Sequence, residues 1–85
     1  MNAKQVKKLI SDKMTNKKEG ISVELGECDE DVERIHIKYP HMYSISLNPI
    51  LDILRKHKFE IHQIVTWWFP DKTSILLIRN NWIGI

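Results

Sequence analysis

IHQIVTWWFPDKTSILLIRN, residues 61–80, is the stretch whose reading decides the fold. Counted by parity, Ile61, Val65, Trp67 and Phe69 share one face of a strand over about 61–69, while Ile64 and Trp68 take the other with His62 and Thr66. Phe69-Pro70-Asp71-Lys72 then fits a type I turn with proline at its second position. A further strand follows over Thr73 to Arg79, with Ile75 and Leu77 opposed to Leu76 and Ile78, and Asn80-Asn81 breaks the run. Both faces of this hairpin are therefore apolar, and an apolar tail, residues 80–85, follows with Trp82, Ile83 and Ile85.

Moving outward, Asn48-Pro49 reads as a helix start, because Asn caps orphan amides and Pro at the first helical position loses no hydrogen bond. Ile50, Leu51, Ile53 and Leu54 form its apolar side, and Arg55, Lys56, His57 and Lys58 crowd the last turn, where the helix dipole favours cations, with an end near Phe59. Two alternating runs precede it. Ile21, Val23 and Leu25 point one way against Ser22 and Glu24; Ile35, Ile37 and Tyr39 point inward against Arg34, His36 and Lys38, up to Pro40. The Gly26 to Asp31 segment between them is a turn. At the start of the chain Asn2 caps a helix over about 3–14 with Gln5 as its third residue, and Val6, Leu9, Ile10 and Met14 line one face.

The order is helix, hairpin, helix, hairpin, two units offset by about 40 residues without a repeat in identity. It predicts an α+β fold, αββαββ, with a four-stranded, mainly antiparallel sheet and two helices on one face. With 85 residues, 42% apolar and 28% charged, one small domain over 1–85 is expected. A chain of this length buries only about 60 to 65% of its unfolded surface, so a partner or second copy would help it. The lone Cys28 allows no internal disulfide, and no stretch resembles a signal peptide or a membrane span, which together suggest a cytoplasmic protein with no membrane partner. Lysine and isoleucine supply 23 residues and Gly and Pro six, a usage that hints at AT-rich coding, such as a phage or other mobile element.

The net charge of +2 conceals three blocks: +5 over residues 1–18, −7 over 19–33 and +4 over 34–85. Each reads either as a solvated face or as a steering patch for an oppositely charged partner. Motifs for chemistry are missing. The three glycines are isolated, so no phosphate loop forms, and no paired cysteines suggest zinc. His36 and His41 share a spacing with His57 and His62, but each pair spans the end of an element. The turn over Glu27 to Asp31 lacks the ligand spacing of a calcium loop, and Cys28 stands among acids, which disfavour a thiolate. The expectation is a protein without catalytic, cofactor or metal sites.

The surplus apolar face of the second hairpin carries the functional expectation, because such patches usually mark interfaces. Either the tail folds over it, or it docks a protein partner or a second copy, as an inhibitor or adaptor would, through Ile64, Trp68, Leu76, Ile78 and Trp82. The competing expectation is nucleic-acid binding by Lys4, Lys7, Lys8, Lys17 and Lys18 with stacking aromatics, although Trp67 alternates with core positions and the acidic block would repel phosphate. The aromatic crossover from Tyr39 to Tyr43 reads as a lid over the core edge.

Overall fold

The computed structural model describes residues 2–14, 20–40, 45–68 and 71–80, with Trp68 described by its backbone alone. Helix α1 covers Ala3–Met14, strands β1 and β2 cover Ser22–Leu25 and Val32–Pro40, and a 3-10 turn at Asn48–Ile50 leads into α2, Leu51–His57. Strands β3, Glu60–Trp68, and β4, Asp71–Asn80, complete the expected αββαββ order. The four strands form one antiparallel sheet in the order β1-β2-β4-β3. Both helices contribute to a single core on one face of it, so the α+β reading holds.

Local chemistry accounts for most of the elements. Asn2 Oδ1 accepts the Gln5 N–H at 2.9 Å and Gln5 Oε1 accepts the Asn2 N–H at 3.0 Å, a reciprocal capping box that opens α1. Ala3, Val6, Ile10 and Met14 then recur at three- and four-residue spacing and are buried. The second helix departs from expectation at both ends. Leu47 rather than Asn48 takes the cap position and makes no side-chain cap bond; the Asn48 N–H bonds Ser46 Oγ at 3.2 Å, and Pro49 sits within a 3-10 turn closed by Ile50 N–H on Leu47 O. Helix α2 stops at His57, because Lys58 takes a left-handed conformation at φ 62°. Phe59, freed from the helix, turns into the core.

The expected turn over residues 69–72 also changes. Trp68 pairs directly with Asp71, so Asp71 and Lys72 already belong to β4, while Phe69 and Pro70 lie outside the described residues. The tail residues 81–85 and His41 to Ser44 of the crossover lie outside them as well.

Register corrects the parity of β3. A shift between Ile61 and Gln63 makes His62 the extra residue of a bulge, which moves Ile61 to the face of Ile64 and away from Val65 and Trp67. Because residues directly opposite in a ladder share a face, the rows across the sheet can be followed. Val23, Ile37, Ile75 and Ile64 form one row on the helix face, and their exposures run 7%, 0%, 3% and 59%. The core therefore spans β1, β2 and β4 and stops short of β3. Helix α1 packs on β1 and β2, and α2 packs beside α1.

Candidate functional site

Strand β3 closes one edge of the sheet and β1 the other, and the two edges differ in kind. β1 has four residues, and its Glu24 is held by Lys38 Nζ at 2.8 Å. β3 has nine residues, GluIleHisGlnIleValThrTrpTrp, with no Lys, Arg or Pro among them. Short strands, edge lysines and prolines are the usual means of blunting a sheet edge. Only the bulge at His62 interrupts β3, and past it the register with β4 runs regularly from Gln63 to Trp68.

Side chains on both faces of this strand meet solvent. On the helix face Ile64 and Ile61 are exposed although their row neighbours Ile75 and Leu77 are buried. On the open face Trp67, 44% exposed, stands opposite Lys72, and half-buried Val65 stands opposite Ser74. Thr66 Oγ1 meets Thr73 Oγ1 at 3.3 Å and ties the strand to β4.

The residues expected to share one docking face do not all do so. Ile64 faces the helix side, and Trp68 takes the register position opposite Asp71 on that same side, whereas Leu76 and Ile78 lie in the open-face rows of His36 and Arg34. Leu76 and Ile78 are half-buried and Ile64 is exposed. Trp82 lies outside the described residues. The correction follows from the pairing of Ile64 with Ile75, which parity within one strand cannot reveal. Trp67 and Ile61, both absent from the expected set, are the exposed apolar residues of β3 that it missed, and Leu25 and Leu51 are exposed elsewhere; the signal that finds the β3 pair is the edge position of the strand.

The basic stripe is divided. Lys4 and Lys8 on α1 are exposed, Lys7 is half-buried, and Lys17 and Lys18 lie outside the described residues. Helix α1 sits on the opposite face of the sheet from Trp67, so its lysines and this tryptophan do not form one surface. The open face of β2 carries Arg34, His36 and Lys38, each half-buried, with His36 Nδ1 3.5 Å from Ser74 Oγ and Lys38 engaged by Glu24.

The acidic turn is ordered by its own first aspartate. Asp29 Oδ1 accepts the N–H groups of Asp31 and Val32, both at 2.8 Å, and these bonds hold its carboxyl below the usual carboxylate range. Glu24 is lowered likewise by its hydrogen bond and charge contact with Lys38. Among the described residues no group of three or more His, Cys, Asp and Glu gathers as metal ligands, and no helix is long and apolar enough to cross a membrane. Comparison with protein-family models, curated proteins and solved structures finds no match.

Proposed function

We propose that this chain is a small protein-binding module that docks through β3, the outer strand of its second hairpin. The carrying observation is the fall from buried to exposed along single rows of the sheet, from Ile75 to Ile64 and from Leu77 to Ile61. An apolar row that continues past its own core is matched to a surface beyond the molecule. The regular backbone edge from Gln63 to Trp68 supports the same reading, since a strand laid along it satisfies its outward N–H and C=O groups and covers side chains on both faces together. An adaptor or an inhibitor would act by occupying an edge in this way.

A photoreactive phenylalanine analogue placed at Trp67 and, separately, at Ser22 on β1 tests the reading in the native cell. Protein adducts, with this chain or another protein, are expected from the Trp67 position and not from Ser22. Equal yields from the two positions, or adducts with nucleic acid alone, would overturn it.

A further inference from the structure

We propose that the occupant of this edge is a second copy of the chain, its β3 adding antiparallel to the first with Thr66 opposite Thr66 on a two-fold axis. The proposal rests on the protein-docking reading and names its partner.

A two-fold interface requires a surface complementary to itself. The bulge at His62 interrupts the register, which is regular from Gln63 to Trp68; within that run the stretch Ile64 to Trp68, apolar but for Thr66, has Thr66 at its centre. Antiparallel pairing about Thr66 puts Val65 of each copy opposite Trp67 of the other on the open face, and Ile64 opposite the Trp68 position on the helix face. Apolar positions meet apolar positions on both sides. Pairing about Val65 would instead set Gln63 against Trp67 and Ile64 against Thr66, and pairing about Ile64 would run into the bulge.

Charge agrees. From Ile64 to Trp68 no side chain is ionisable, so the symmetric pairing brings no like charges together. At the axis the two Thr66 hydroxyls extend a polar row that already joins Thr66 to Thr73 in each copy. The helix layers leave room as well. Four strands from β4 to its symmetry mate, spaced at about 4.8 Å, set the two β4 strands roughly 14 Å apart, more than a helix diameter of about 10–12 Å. Because the core stops at β4, the two uncovered β3 strands meet without a collision of helices, and the result is one eight-stranded sheet with all helices on one side.

The test uses the purified full chain. Light scattering at high micromolar concentration is expected to give twice the 10.1 kDa chain mass, and Ile64→Lys, at an exposed position, is expected to give the single-chain mass with an unchanged circular dichroism spectrum. In a Cys28→Ser background, Thr66→Cys should oxidise to a disulfide-linked dimer while Ser22→Cys should not, since directly opposed strand residues lie about 4.5–5.5 Å apart at Cα, within disulfide range. A single-chain mass for the unaltered protein overturns the proposal, as does a dimer that survives Ile64→Lys or crosslinks equally through Ser22→Cys. A purified monomer that still yields foreign-protein adducts at Trp67 in the cell would overturn self-pairing alone and leave the docking reading standing.

Discussion

Arg79 of β4 grips Glu33 of β2 across the sheet, with Nη2 donating to Glu33 Oε1 at 2.6 Å and Nε donating to the same oxygen at 2.9 Å. Both side chains are largely buried, at 14% and 13% exposure. The pair also binds the two helices to the sheet. Glu33 Oε2 accepts the Ala3 N–H at the start of α1, Arg79 Nη1 donates to His57 O at the end of α2, and the guanidinium lies 4.8 Å from the Phe59 ring centroid. Removing the cation strands a buried carboxylate. Arg79→Met is expected to cost about 3–5 kcal/mol, read as a lower urea midpoint, and to lower Tm by about 4–8 °C per kcal/mol. Pairing Arg79→Met with Glu33→Gln should recover part of the loss.

The rows that end on β3 predict opposite outcomes for chemically similar changes. Ile37→Ala opens a cavity in the core and should cost about 2–5 kcal/mol, whereas Ile64→Ala, in the same row but exposed, should change folding stability by only about 0.5 kcal/mol. Denaturant unfolding of dilute protein measures both. An equal cost at the two positions would mean that the core reaches β3.

Gly26 is bound to its neighbours by space rather than by backbone conformation. A Cβ there would stand 2.8 Å from His36 Nε2 and 3.0 Å from Arg34 Cβ, while the Gly26 N–H bonds Arg34 O at 2.8 Å. Gly26→Ala must displace the His36 ring and with it the contact to Ser74, at a cost of about 1–3 kcal/mol. Adding His36→Ala should recover a share of it, measured as a double-mutant cycle in urea.

Lys58 holds a left-handed backbone that its Cβ disfavours. Lys58→Gly relieves about 1–2 kcal/mol of left-handed strain and gives back about 0.4–1 kcal/mol through a freer unfolded chain, so it should raise the urea midpoint modestly with unchanged slope.

Acid should weaken the fold in two steps. Desolvation first, and with it positive charges that include Lys56 and Arg79, hold the His57 pKa below its ordinary value, so the unfolded chain takes up this proton first and stability drops as pH falls through the histidine range. The lowered carboxyls of Asp29 and Glu24 act with the same sign at lower pH: their contribution is present above the ordinary carboxylate range and is lost as pH falls through their folded values. In urea midpoints followed from neutral pH downward, His57→Gln should flatten the upper step and Asp29→Asn the lower.

Much of the fold was legible locally. The capping box at Asn2 and Gln5, the alternation of Ile35 and Ile37, and the spacing of Val6 and Ile10 are each written within a few residues, and their elements form where the pattern puts them. The exposed apolar edge was legible only in composition. The apolar surplus of residues 61–80 was visible, yet the residues assigned to its outer side fall on two faces, because the register that pairs Ile64 with Ile75 is set between two strands and is not written in either one.

The sequence by itself determined the order of the elements, the helix opening at Asn2 and the inward side of β1 and β2, since these follow from hydrogen bonding and side-chain period over short reach. Tertiary structure alone decided that β4 lies between β2 and β3, that Ile64 shares a row with Ile75, and that Glu33 and Arg79, 46 residues apart, close the helices onto the sheet. Alternation says which way a side chain points along its own strand, but the neighbour that covers it is chosen by pairing between distant segments. That choice places β3 at the end of the sheet and leaves its Ile61, Ile64 and Trp67 exposed.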